Sequence, residues 1–203
     1  MSLDPQGLER AVADFLRALG QDPERVSDVS GTPARVAEAW IRDLMRGYSV
    51  DLEALIREGA MLQPSAQSAG VVVVRDVFVA TVCPHHLMPA LGTAVVAYKP
   101  GPLLLGVGTI ASIVDALSRR LTLQEQIGAN VVQSLLGHAQ AMGAYCELTL
   151  THTCLSARGA GRERAAVTTV TTGGWFEGQE GKLELMLALG KRAKLVGAPT
   201  KYK

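Results

Sequence analysis

The chain has 203 residues, 48% of them hydrophobic, and a formal net charge of +1. That length suits one main domain with an extension, and the apolar share is enough for a real core. The charge gives no reason to expect nucleic acid or a membrane surface as partner. No apolar run reaches the roughly 18–20 residues of a membrane span, and the polar, acidic start Met-Ser-Leu-Asp-Pro-Gln is unlike a signal peptide, so a cytoplasmic protein is expected.

Residues 8–19 carry Leu8, Val12, Phe15, Leu16 and Leu19 at helical spacing, with Gly20 as a stop. A second helix is expected over 32–47, with Thr32 as cap and Pro33 in its first turn. A weaker one follows over 52–58, and 63–70 reads as a loop. At Val71 the pattern becomes β-branched. Strands are expected at 71–82 and 91–98, helices at 109–121 and 124–142, and strands at 145–155 and 165–172. Gly173-Gly174 breaks the last strand, a short helix covers 183–189, and a basic tail follows. The expected organisation is an N-terminal helical extension over 1–65, a catalytic domain over 66–190 and a tail over 191–203. The order β-β-α-α-β-β implies an α+β fold, an antiparallel sheet with helices on one face. Four strands with open edges invite closure by further subunits.

Three cysteines form no disulfide framework in a chain of this kind. Two of those three, and three of the four histidines, fall in two short segments, Cys83-Pro-His-His86 and His152-Thr-Cys154. Both are expected at strand ends, where a rigid sheet aims side chains. Cys83, His86 and Cys154 read as the ligands of one Zn2+, with the fourth tetrahedral position open as in catalytic zinc sites. A structural site would need a fourth ligand, and Cys146 stands mid-strand, where it reads as a small buried residue. His138 reads as a partly exposed helix residue. A His-Cys-Cys zinc is also the set by which nucleobase deaminases direct hydroxide at a ring carbon, although their sequence signature is absent here. His85 and His152 remain as proton carriers beside the ligands. Against this stands the plain reading that vicinal histidines and single cysteines also occur in cores and loops without a metal.

Four ordered stretches resemble the GTP cyclohydrolase I family: Thr32-Pro-Ala-Arg-Val-Ala37, Cys83-Pro-His-His-Leu-Met-Pro89, Ser118-Arg-Arg-Leu-Thr-Leu-Gln-Glu125 and His152-Thr-Cys-Leu-Ser-Ala-Arg-Gly159. The resemblance implies the tunnelling fold, a homo-oligomer (a decamer in the family) whose sheets close into a barrel, and a guanine nucleotide as substrate. In that family a zinc-activated water attacks carbon 8 of the base, the imidazole ring opens, formate leaves and the ribose is recast into dihydroneopterin triphosphate. By position it implies Cys83, His86 and Cys154 as zinc ligands and His85 and His152 as proton-transfer residues. It further implies Gln124 and Glu125 at the guanine edge, and Arg158 and Arg35 as candidate cations for the phosphates.

The sequence departs from the family where the triphosphate is gripped. Thr109 and Ser112 stand where the family has lysine and arginine, Gly108 where it has serine, Glu38 where it has lysine, and Ala166 where a lysine is common. Arg35, Arg158, Arg162 and Arg164 remain as cations. A charge-assisted contact is worth about 1.5–3 kcal/mol, so losing two or three weakens a triphosphate by several orders of magnitude. A guanine nucleoside, a monophosphate or a modified purine then fits as well as GTP, unless cations from shifted positions compensate. Pro84 replaces a family glutamate and stiffens the ligand loop. A non-catalytic paralogue that keeps the zinc, or another tunnelling-fold enzyme such as a pterin synthase or aldolase, are the competing classes. Retention of both His85 and His152 speaks against the former, and the Cys-x-x-His plus His-x-Cys pairing against the latter.

Overall fold

Helix α1 (Pro5–Ala18) begins three residues earlier than the apolar periodicity suggests, because Asp4 caps it by accepting a hydrogen bond from Gly7 N–H at 2.9 Å and Pro5 suits the first turn. The molecule is known here as a computed structural model, which describes residues 3–62, 70–158 and 165–190. The basic tail, most of the 63–70 loop, and Arg162 and Arg164 lie outside the described residues.

The helix expected over 32–47 is three pieces: α2 (Thr32–Ala39), a π-helical stretch (Trp40–Leu44) and a 3-10 turn (Arg46–Ser49). Gly31, not Thr32, is its cap; the Thr32 hydroxyl instead accepts from Arg35 at 3.2 Å. Helix α3 (Leu52–Gly59) starts at an Asp51 cap and buries Ile56 in the main core. It runs into β1 (Ala60–Leu62), which pairs antiparallel with β4 (Leu103–Leu105). Three-residue strands are too short to announce themselves by alternation. Buried Tyr98 holds β4 in place by accepting from the Leu105 N–H at 2.9 Å.

Strands β2 (Val72–Val82), β3 (Pro89–Lys99), β5 (Gly143–His152) and β6 (Ala166–Gly174) form one antiparallel sheet in that order. Helices α4 (Val107–Ser118) and α5 (Gln124–Gly137) lie across one face. The face is set by alternation: Ala94, Val96 and Tyr98 of β3 and Cys146, Leu148 and Leu150 of β5 point into the core against Ile113 of α4 and Val131 of α5. Each fully buried Val, Leu or Ile among them contributes about 1.5–3 kcal/mol. The β-β-α-α-β-β order expected of the tunnelling fold is present.

Two boundaries differ in ways that matter below. Helix α5 ends at Gly137, not near 142, because the chain turns there and Gln140 takes a left-handed φ of 51°. Strand β5 ends at His152, and Cys154 lies on a single helical turn, α6 (Thr153–Ser156), which the Thr153 hydroxyl ties to Pro89 O at 2.6 Å. On the other sheet face, α7 (Gln179–Ala188) covers only one end. There Glu184 accepts from buried Lys99 at 2.6 Å and from the Trp175 indole at 3.0 Å.

Candidate metal centre

The loop joining β2 to β3 is closed on itself: Cys83 N–H donates to Met88 O and Leu87 N–H to Cys83 O, each at 2.9 Å. Leu87 holds a φ of 54° there, a conformation that costs a branched residue roughly 1–2 kcal/mol. Such strain persists only where the surroundings over-determine it. Here it fixes the turn that brings His86 back over Cys83, with Cys83 Sγ and His86 Nδ1 3.6 Å apart. Cys154 reaches the same point from α6, because β3 lies between β2 and β5 and its start is stitched to both. The three ligand atoms all lie within 4.8 Å of one another.

The set fits zinc. Ligand bonds of about 2.0–2.3 Å in a tetrahedron place ligand atoms roughly 3.5–3.8 Å apart, and the 3.6 Å separation falls in that interval. Two sulfurs and an imidazole select a borderline-soft cation over magnesium or calcium. Burial, then the neighbouring Cys83 thiolate, raise the Cys154 thiol above its ordinary range, while exposed Arg158 lowers it. Two thiolates this close need a cation between them, and a divalent metal supplies it. Buried Cys146, pushed up to about 12 by its apolar surroundings and by Glu147, is a core residue and no part of the centre.

A cavity of about 280 Å³ opens beside the three ligands, and His85, His152, Gln124 and Glu125 also line it. Helix α5 is brought there by the segment before it. The Thr81 hydroxyl donates to Arg120 O at 3.3 Å, Thr122 N–H to Val82 O at 3.4 Å, and Gln126 turns back to accept from the Thr122 hydroxyl and Leu123 N–H at 3.2 and 3.4 Å. The first turn of α5 therefore faces the metal loop, with Glu125 exposed. Thr81, Leu155 and Val167 also line the cavity and carry no local sequence signal, whereas Thr122, a further lining residue, is marked by its bond to Gln126 four residues on, at the start of α5.

Gln124, expected at the base edge, lines the cavity with its side-chain amide fully engaged. It is 3% exposed, its side-chain N–H groups donate to Leu148 O at 3.0 Å and Val167 O at 2.9 Å, and its oxygen lies 2.8 Å from His152 Nε2. No side-chain donor is left over for a base. Neither Arg35 nor Arg158 lines the cavity, and among the described residues no lysine or arginine does.

A sequence profile described as GTP cyclohydrolase I matches residues 8–190. The GTP cyclohydrolase 1 of Leifsonia xyli subsp. xyli is similar at 34% identity over 187 residues, 92% of this chain and 96% of the relative. That of Deinococcus radiodurans is 34% identical over 173 residues, covering 85% and 78%. That of Chromobacterium violaceum is 40% identical over 153 residues, covering 75% and 71%.

Proposed function

The chain belongs to the GTP cyclohydrolase I family, and from that premise we propose a zinc-dependent cyclohydrolase that opens the imidazole ring of a guanine nucleotide and releases formate. One observation carries this reading: the Cys83, His86 and Cys154 ligand atoms lie within 4.8 Å at a cavity also lined by His85, His152 and Glu125. Zinc held by those ligands would polarise a water for attack on carbon 8 of the base. That attack would break one bond between carbon 8 and a ring nitrogen and leave a formamide, and a second water would hydrolyse the formamide to release formate and free the other nitrogen; His85 and His152, which flank the ligands, would carry the protons from each water to the departing nitrogen. Glu125, exposed at the first turn of α5, accepts the two parallel N–H groups of the guanine edge. Arg158 and Arg35 are the candidate phosphate contacts. The free edges of the sheet favour a homo-oligomer, a decamer by family resemblance, and thiolate ligands suit a reducing, cytoplasmic setting.

A second reading concerns the phosphate end and has its own support. The cavity lining has no cation among the described residues. Thr109, where the family has lysine, is used for packing: a Cβ placed on Gly59 would lie 2.0 Å from its hydroxyl. Ser112, where the family has arginine, lines a separate cleft in which Arg46 and Arg119 are both paired with Asp115, at 2.8 and 3.2 Å. A guanine compound with fewer phosphates is then the preferred substrate.

Zinc-loaded protein offered GTP, GDP, GMP and guanosine tests both, with formate release and pterin fluorescence as readouts. Formate from any of them supports the cyclohydrolase, and a higher kcat/KM for GMP or guanosine than for GTP supports the second reading. No formate from the whole panel, in protein with one zinc per chain, overturns the first.

A further inference from the structure

Building on that reading, we infer that Gln124 is a positioning residue that fixes the tautomer of His152, rather than a contact to the base. The identity of each amide atom follows from its neighbours. Leu148 O and Val167 O are backbone carbonyls and only accept, so the group 3.0 and 2.9 Å from them is the Gln124 NH₂. The atom facing His152 is therefore the amide oxygen, which only accepts. The His152 nitrogen 2.8 Å away, Nε2, must then carry the proton. In the neutral ring the lone pair lies on Nδ1, and Nδ1 is the nitrogen through which His152 exchanges protons. Rotating the amide by half a turn would set its NH₂ against the ring and its oxygen against two carbonyls. That arrangement loses both backbone bonds inside a site where Gln124 is 3% exposed.

The elements involved make the lock stiff. Leu148 is on β5, Val167 on β6 and Gln124 at the first position of α5, so one amide clamps helix to two adjacent strands four residues before the histidine it orients. Partners at this remove from a reacting group typically change activity by 10–100-fold.

The test uses full-length, zinc-loaded protein labelled with 15N-histidine. His152 is assigned by the signal that disappears in His152→Gln, and its two ring nitrogens are read directly in the unsubstituted protein. Protonated Nε2 with bare Nδ1 is the expected result; protonated Nδ1 with bare Nε2 overturns the inference whatever the enzyme turns over. A Gln124→Met variant then separates positioning from base binding. Expected are retained zinc, a mixture of His152 tautomers, and a kcat lower by about 10–100-fold at nearly unchanged KM. A raised KM with kcat and tautomer unchanged would return Gln124 to the base edge. Should Gln124→Met fail to fold, the spectrum of the unsubstituted protein still decides. Absence of turnover on any purine counts against the proposed reaction and leaves the tautomer measurement standing.

Discussion

Cys83 and Cys154 cannot both ionise cheaply while they face each other without a cation. Burial and the Cys83 charge hold the Cys154 thiol above its ordinary range, and zinc must displace that proton to bind. Removing the Cys154 sulfur leaves only Cys83 and His86, both on the loop between β2 and β3. Cys154→Ala is therefore expected to lose stoichiometric zinc, read by metal analysis after gel filtration, and with it all formate release; zinc bound one-to-one by that variant would remove Cys154 from the ligand set. Glu125→Gln is expected to keep zinc and raise KM by roughly 10- to 100-fold, the value of one charge-assisted bond. An unchanged KM in steady-state kinetics would take Glu125 away from the base. The clustering of Cys83, His86 and Cys154 was legible in the sequence because each half of the site is local, Cys83 with His86 and His152 with Cys154, and sheet order joins the halves. The hydrogen-bonded seat of Gln124 was not, because its partners Leu148 and Val167 are 24 and 43 residues away. Only the register of β5 with β6 brings those carbonyls under α5.

At the scale of elements, α7 is held by polar contacts at two points, Arg75 donating to Ala188 O at 3.4 Å and a cluster around Glu184. Lys99 is 9% exposed at the end of β3, its ammonium lies 5.0 Å from the Trp175 ring centre, and Glu184 holds both. The hydrogen bond from Lys99 outweighs the cost of burial and holds the Glu184 carboxyl below the usual carboxylate range. A carboxyl with a depressed folded value binds fewer protons folded than unfolded, so its stabilisation is present above the unfolded value of about 4.3 and is lost as pH falls through the folded one. Because a third of the Glu184 side chain is exposed, solvent screening limits the effect to about 1–2 kcal/mol. Glu184→Gln is expected to unfold at lower denaturant concentration by that amount at pH 7, with the difference from the parent shrinking below about pH 4. Lys99→Met, which removes the buried charge along with its partner's need, is expected to cost less; an equal or larger loss would mean the pair itself, not the stranded ammonium, holds α7 down. Long apolar elements such as α4, α5 and the four main strands were readable from period alone. The β1–β4 ribbon, the π-helical step at Trp40–Leu44 and the helical turn bearing Cys154 were not. Each is shorter than two helical turns or a strand's worth of alternation, and tertiary partners decide it.

At the scale of the whole molecule, the sheet is finished on one face only. Helices α4 and α5 cover the first, while on the second Phe176, Leu185 and Leu189 close over Ala97 and Tyr145 at one end. The far end leaves Phe78 59%, Leu91 45% and Val170 56% exposed around a row in which Phe78, Thr93, Thr149 and Thr168 stand side by side. Among the described residues β2 and β6 each have one unpaired edge. The β2 edge is blunted by a bulge between Val74 and Val77, where Asp76 takes a φ of 55°. The β6 edge has no such device: Ala-Val-Thr-Thr-Val-Thr-Thr-Gly-Gly contains neither charge nor proline. A flat, uncharged edge beside an apolar half-face is an aggregation hazard unless another chain covers it. Homo-oligomerisation through β6 is the economical solution, since one symmetric or head-to-tail contact covers edge and face together. Light scattering is therefore expected to give a mass several times the 21.5 kDa of one chain. Val170→Lys, which sets a charge in the middle of that face, is expected to shift the population toward smaller species without loss of zinc, because Val170 pairs with Glu147 in the middle of the sheet and none of Cys83, His86 and Cys154 lies on β6. A monodisperse parent at the mass of one chain would mean that β6 is covered from within, and would leave the sheet closing on its own subunit rather than on a neighbour.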